Sequence, residues 1–308
     1  MGRAVSKSGV KTGVELARNY LDLVKFSHTV FALPFALISG LLAWKIAREF
    51  HWLQLAGILA CMVTGRTAGM AFNRLVDSTY DKNNPRTSGR HLPAGILTKI
   101  EVWSLFFLTL VGFFASAALF LLINNPWPLI LSPLAMVVLL GYSLAKRFTS
   151  LSHFWLGFAL SLAPLGAWVA IRGLAWSEAP IPLMLTGAVL FWVAGFDILY
   201  SCQDMEFDRG QGLFSIPARW GINKSLKIAF VAHMAMLLFL TGLYFLAPHL
   251  LGWIYLGGVA AAGLLVLYQH SLVRADDLSR VNRAFFHVNA VISLGLLAVV
   301  AAQVWLAR

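Results

Sequence analysis

The chain has 308 residues, of which 59% are hydrophobic and only 12% charged, with a mean hydropathy of +0.75. Soluble chains carry roughly 25% charged residues, so this composition excludes an ordinary soluble domain and indicates a multi-pass membrane protein. A net charge of +11 would suggest a nucleic-acid binder in a soluble chain, but here the Lys and Arg residues lie between apolar runs, where they report topology and not a nucleic-acid patch.

In chain order, residues 1–20 read as a basic cytoplasmic tail, since no apolar core with a cleavage site follows them closely. A spanning helix needs ~20 apolar residues. Nine candidate spans follow: 23–44, 53–75, 102–123, 127–145, 153–171, 181–202, 225–246, 250–272 and 285–306. Asn124-Asn125-Pro126 breaks the chain between the third and fourth, and Ala179-Pro180 closes the connection between the fifth and sixth. Cys61 and Cys202 both fall inside apolar stretches and form neither a disulfide framework nor a metal cluster. The expected fold is all-α, a single transmembrane domain over 1–308 with two pseudo-repeated four-helix halves. With the N-terminus inside, 19 Lys and Arg residues fall on the cytoplasmic side and 4 on the other, with Arg66 inside a span. That asymmetry orients the chain by the positive-inside rule. An odd count of spans then puts the C-terminus outside.

Two connections on the cytoplasmic side are long, roughly 76–100 and 203–224, and each follows a helix ending in acidic residues. The first motif runs Asn73-x-x-x-Asp77-x-x-x-Asp81, a spacing that keeps one helical face. The second carries Asp197, Asp204 and Asp208, with offsets of 7 and 11 that also keep one face. Stacked carboxylates repel, and at a membrane boundary each ionised group is costly. Hard divalent cations relieve this, and Mg²⁺ commonly bridges carboxylates to substrate phosphates. Arg86, Arg90, Lys146 and Arg147 lie at the same face, ready for phosphate oxygens. Carboxylates and basic side chains without a Walker-type glycine loop indicate a diphosphate held through metal. The loops after the two motifs echo each other, Leu92-Pro93-Ala94-Gly95 against Ile216-Pro217-Ala218-Arg219.

At these residues the chain resembles the UbiA-type intramembrane prenyltransferases. The likeness rests on the first motif followed by Asn84-Pro-Arg86-Thr87-Ser-Gly-Arg90, on Gly141-Tyr142-Ser-Leu-Ala-Lys146-Arg147, and on Asp197-x-x-Tyr200-x-x-Gln203-Asp204-x-x-x-Asp208. The resemblance implies nine helices and Mg²⁺-assisted ionisation of a polyprenyl diphosphate, with two ions expected to bridge the diphosphate. An electron-rich aromatic ring then captures the allylic cation. By position it implies Asn73, Asp77, Asp81, Asp204 and Asp208 as metal ligands. It assigns Arg86, Arg90 and Lys146 to the diphosphate, with Arg147 beside them, and Tyr142, Asp197 and Tyr200 to the substrate pocket. Arg66, two helical turns below Asn73, matches an arginine the family keeps in its cavity; its expected partner is the carboxylate of the acceptor, with Asp197 as the alternative.

The overall pattern is closest to the 4-hydroxybenzoate type, which places the chain in ubiquinone synthesis. The run Phe196-Asp197-Ile-Leu-Tyr200-Ser-Cys-Gln-Asp204 also resembles a menaquinone branch that prenylates a dihydroxynaphthoate. The expected setting is a bacterial-type inner membrane, with lipid, polyprenyl diphosphate and the aromatic acid as partners. A cation-coupled transporter is the reading from a different class, since intramembrane acids and Arg also mark ion pathways; against it, the acids cluster at one face instead of the midplane.

Overall fold

The computed structural model describes residues 13–24 and 31–306. All its regular elements are helical: α1 (Gly13–Leu23), α2 (Leu33–Ala47), α3 (Trp52–Val76), α4 (Ser78–Asn83), α5 (Lys99–Ala118), α6 (Trp127–Ala145), α7 (Ser152–Arg172), α8 (Pro180–Ser201), α9 (Met205–Gly210), α10 (Ile216–Leu246), α11 (Trp253–Ser271), α12 (Val281–Arg283) and α13 (Asn289–Leu306). A 3₁₀ turn, Leu119–Ile123, extends α5, and a π-helical turn, Ala284–Val288, joins α12 to α13.

Among the described residues, eight helices are long and apolar enough to cross a membrane. They match eight of the nine expected spans to within a few residues, except that α10 begins earlier. The first expected span, 23–44, differs. Its helix is α2, of 15 residues, about 22 Å at a rise of 1.5 Å per residue. Pro34 lies in its first turn, where a missing N–H costs nothing. Residues 25–30 of that span lie outside the described residues. Nor is the expected tail only an extension, because Gly13–Leu23 forms α1. Tyr20 on α1 donates to the Glu101 carbonyl of α5, and Leu16 and Tyr20 pack with Leu23 on a cluster that includes Ala68, Ala71 and Phe106.

Local signals set the remaining boundaries. Thr98 and Glu101 form a reciprocal capping box at the start of α5. Asn124 turns the chain with a left-handed φ of 57°, which Asn tolerates better than most residues. In α10, Ser215 caps a first turn, then Gly221 breaks the helix with φ 75° and ψ 168°. The long span starts after that break, which is why hydropathy alone began it at 225.

Burial is uneven. α8 sits at the centre between α7 and α10, with Trp192, Val193 and Ile198 fully enclosed. Gly157 lets α7 approach the α8 backbone so closely that a side chain there would strike the Leu190 carbonyl. α5 and α6 lie at the periphery and turn Phe107, Leu108, Val111 and Leu134 outward, as lipid-facing helices do. Exposed Trp52, Trp127, Trp176, Trp253 and Trp305 all mark helix ends on the face opposite the acidic motifs, an arrangement typical of a membrane interface.

Candidate active site

Both acidic motifs sit where a long helix breaks. Asp77 joins α3 to α4 with φ −91° and ψ 0°. Asp204 ends a 3₁₀ turn, Cys202–Asp204, and joins α8 to α9 with φ −101° and ψ 4°. Both lie near the bridge region of backbone space, where many active-site residues are found. The stripes are therefore not continuous helix, as their spacing suggested. Asn73 and Asp77 do remain stacked, with Asn73 Nδ2 donating to Asp77 Oδ2 at 2.7 Å. Asp81 and Asp208 ride on the short helices α4 and α9.

The breaks turn the motifs toward each other across one cavity of about 230 Å³. Of the thirteen residues expected at the site, twelve line it: Asn73, Asp77, Asp81, Arg86, Arg90, Tyr142, Lys146, Arg147, Asp197, Tyr200, Asp204 and Asp208. Arg66 does not.

Asp77, Asp81, Asp204 and Asp208 each meet their own cation, while Asp197 meets His153. Arg86 grips Asp204 with two prongs, Nε to Oδ1 at 2.8 Å and Nη2 to Oδ2 at 2.6 Å, and its Nη1 donates to Tyr200 Oη at 2.8 Å. Asn84 Nδ2 adds a bond to Asp204 Oδ1 at 3.2 Å. The loop after the first motif thus closes onto the second. Arg90 Nη1 donates to Asp81 Oδ1 at 2.7 Å, Lys146 Nζ to Asp208 Oδ2 at 3.2 Å, and Arg147 Nη2 to Asp77 Oδ1 at 3.3 Å. The Phe214 N–H donates to the Lys146 carbonyl at 2.7 Å, tying the second loop to the end of α6.

Charge placement follows from this pairing. Burial, then the neighbouring Asp81, pushes the Asp77 carboxyl above its ordinary range, against the pull of Arg147. Burial works against the charge of Arg86, but Asp204 and Tyr200 outweigh it and hold the guanidinium above its usual value. Lys146 is likewise opposed by burial and raised by Asp208, Asp197 and Asp204; it stays a cation through neutral pH.

The donor set suits a hard cation. Asp81 Oδ2 is buried without a hydrogen-bond partner, an acceptor left over by the surrounding protein. Among the described residues, no three His, Cys, Asp or Glu side chains converge closely enough to cage an ion alone. Mg²⁺ does not require such a cage, since it usually takes one or two carboxylates together with substrate phosphates. Two acid pairs on opposite walls fit that mode.

Arg66 stands apart from the other candidates, outside the cavity lining. It lies on α3 below Asn73, as the spacing required, but its Nη2 reaches the Val24 carbonyl at 3.5 Å, beyond the end of α1. The α3 arginine on the cavity wall is Arg74, which contacts Asn73 Oδ1 and the Leu23 carbonyl. Sequence reasoning also missed Asn84, Tyr80 and His153. Tyr80 stacks under Arg147 with 5.4 Å from the guanidinium to the ring centroid. Asn84 stood inside the quoted motif and could have been picked out there. His153, at the start of α7, hydrogen-bonds Asp197 from 44 residues away, and no local pattern marks it.

The model of the UbiA prenyltransferase family matches residues 32–291. A 4-hydroxybenzoate octaprenyltransferase from Vibrio vulnificus (strain CMCP6) is 31% identical over 290 residues, covering 92% of this chain and 98% of the relative. Among solved structures, a UbiA homologue from Aeropyrum pernix K1 superposes with a TM-score of 0.76 at 32% identity, over 91% of this chain and 97% of that one. A UbiA homologue from Archaeoglobus fulgidus bound to DMAPP and Mg²⁺ shares the fold, with a TM-score of 0.67 at 20% identity over 93% of this chain and 99% of that one.

Proposed function

The chain belongs to the UbiA prenyltransferase family and is a multi-pass membrane prenyltransferase, and we propose that it moves a polyprenyl group from its diphosphate onto a hydroxylated aromatic acid of the 4-hydroxybenzoate type, in quinone synthesis. The observation that carries this reading is the pair of acidic motifs lining a single cavity, with two carboxylates of each, Asp77 and Asp81, then Asp204 and Asp208, beside a Lys or Arg. Bound Mg²⁺ would neutralise the diphosphate and help it leave the allylic carbon. Asp77 and Asp81 on one wall, and Asp204 and Asp208 on the other, are the carboxylates suited to hold it, with Asn73 beside them. Arg86, Arg90, Lys146 and Arg147 would then present their donors to diphosphate oxygens, stabilising the charge that gathers there. The surrounding helices keep water from the allylic cation. Tyr142 and Tyr200, on the cavity wall, would face the reacting groups.

The run from Phe196 to Asp204 favours a second acceptor, a dihydroxynaphthoate, with the same chemistry. Membranes containing the protein, supplied with several polyprenyl diphosphates and either acid, should yield a prenylated acid by mass spectrometry. Formation of neither product, with binding of prenyl diphosphate intact, overturns the aromatic-acceptor reading.

The site faces the cytoplasm in this proposal. Cysteines placed at the exposed positions Ser88 and Gln211 should label from the cytoplasmic side, and one at Asn124 from the opposite side. Labelling of Ser88→Cys and Asn124→Cys from the same side would refute the topology.

A further inference from the structure

Two loops at the face of the acidic motifs meet outside the cavity: residues 146–151, between α6 and α7, and residues 211–215, between α9 and α10. The Phe214 N–H donates to the Lys146 carbonyl at 2.7 Å, and Arg219 Nη1, in the first turn of α10, donates to Ser150 Oγ at 3.4 Å. Large apolar side chains are left open there. Phe148 and Leu151 are 58% and 57% exposed, and Phe214 and Trp220 are exposed as well. Exposed Arg209, Arg219, Lys224 and Lys227 accompany them, and no acid occurs from 209 to 227 or from 146 to 153. Arg209 Nε donates to the Ala218 carbonyl at 2.8 Å, and the Arg219 guanidinium lies 5.1 Å from the Trp220 ring centroid. Both arginines are thus held at this edge.

A contiguous exposed apolar patch marks a surface that is covered in use. The outward side of α10 shows what covers this one. Its exposed residues run Trp220, Lys224 and Lys227, then Phe230, Val231, Leu238 and Phe245. Lysines avoid the hydrocarbon, whereas Phe, Val and Leu are at home in it, so the change between Lys227 and Phe230 marks the hydrocarbon boundary. At 1.5 Å per residue, Lys227 and Lys224 stand about 4.5 and 9 Å beyond Phe230. That is the scale of the headgroup layer, about 5–7 Å thick on each side. Aromatic rings and cations together at this depth are the composition of a segment seated among headgroups.

We propose that this edge binds anionic phospholipid, with Lys224, Lys227 and Arg219 taking the phosphates and Phe148, Leu151, Phe214 and Trp220 entering the interface. A cationic stretch without acids favours anionic over zwitterionic headgroups. The lipid seat reaches the cavity through the backbone. Leu213 lines the cavity, and its N–H donates to the Asp208 carbonyl at 2.8 Å. The next residue, Phe214, holds the Lys146 carbonyl, and Lys146 Nζ pairs with Asp208 Oδ2 at 3.2 Å. Lipid that holds the Phe214 ring at the surface therefore steadies the loop that keeps Lys146 and Asp208 together, and prenyl transfer gains from it.

The test places the full-length protein in nanodiscs of phosphatidylcholine alone, or of phosphatidylcholine and phosphatidylglycerol in equal parts. Native mass spectrometry should show phosphatidylglycerol retained on the wild type in preference to phosphatidylcholine. Lys224→Gln combined with Lys227→Gln should lower that retention by on the order of tenfold, since each lysine near an anionic surface is worth a factor of about five. Prenyl transfer by the wild type should run faster with phosphatidylglycerol present, by roughly one such factor. The glutamine variant should keep the wild-type phosphatidylcholine rate in both lipids, and Lys224→Arg with Lys227→Arg should restore the difference. A general effect of lipid charge on the donor would persist in the glutamine variant, so an undiminished difference there overturns the proposal. Equal retention of the two lipids by the wild type does so too, as does a dimer of the chain that retains no phosphatidylglycerol. Failure of the prenyl-transfer reading shows separately, as no product in either lipid, while lipid retention still decides the seat.

Discussion

The helices α3 and α8 end alike and stand in different surroundings. Each breaks at an aspartate with nearly the same backbone angles, and each passes a second aspartate to a six-residue helix. Yet 67% of the apolar window of α8 is buried against 33% for α3. α3 packs chiefly against α5 and α6, whose own windows are only 22% buried. The contacts at the acids follow the same division. Asp204 is gripped by a two-pronged arginine and an asparagine, whereas Asp77 takes one 3.3 Å contact from Arg147 and one from Asn73. Similar local sequence produces similar chemistry at the helix ends, and the packing behind it decides how firmly that chemistry is held.

The largest expected effect erases the contrast. Asp77→Ala and Asp204→Ala should each lower prenyl transfer by roughly 10³-fold, as losing a central electrostatic group does elsewhere, with the protein still folded in membranes. Chelation should stop turnover and added Mg²⁺ restore it. Near-normal turnover in one folded variant would show that only the other motif carries the metal. Packing should then separate the two regions. Trp192→Ala in the enclosed core should cost about 3–5 kcal/mol of stability, while Leu108→Ala on the outer face of α5 should stay within about 0.5 kcal/mol, read from thermal unfolding in detergent. Equal shifts would remove the distinction in burial.

Smaller changes sharpen the comparison at the arginines. Arg86→Lys gives up a two-pronged grip on a carboxylate and should cost on the order of 10²-fold in kcat/KM, whereas Arg147 meets its carboxylate with one prong and otherwise holds the Val76 carbonyl and the Tyr80 ring, so Arg147→Lys should cost about tenfold. A reversed order would place the firmer hold on the first motif. The smallest effect belongs to Arg66. Arg66 is not among the residues lining the cavity, and Arg66→Lys keeps the charge, so both KM values should change by less than about threefold, the scale of a substitution away from the site. A large rise in KM for the acid alone would return Arg66 to the acceptor.

Legibility in the sequence tracked the range of each interaction. Hydropathy located the spans because an apolar helix of membrane length is a local property, and it faltered at α2 and at Gly221, where a proline and a positive φ set the ends. Spacing put Asn73 and Asp77 on one face because α3 stays regular up to Val76. The breaks at Asp77 and Asp204 had no such signal. Arg66 shows the limit of face arguments: spacing fixes the direction around the helix axis, while the neighbour opposite comes from another element, here the residue after α1. His153 was invisible because both its partners, Asp197 and Ile216, are distant in the chain.

The cavity wall carries five carboxylates and five cationic side chains: Asp77, Asp81, Asp197, Asp204 and Asp208 against Arg74, Arg86, Arg90, Lys146 and Arg147. Seen from beyond a Debye length, about 10 Å at 0.1 M salt, such a site is nearly neutral. The side chains alone therefore exert little long-range attraction on an anionic donor in the aqueous phase, and any such pull comes from the Mg²⁺ the site would hold. An amphiphile with a prenyl tail is already concentrated in the bilayer, where capture depends on two-dimensional diffusion. Encounter should therefore scale with the donor's mole fraction in lipid and respond little to ionic strength.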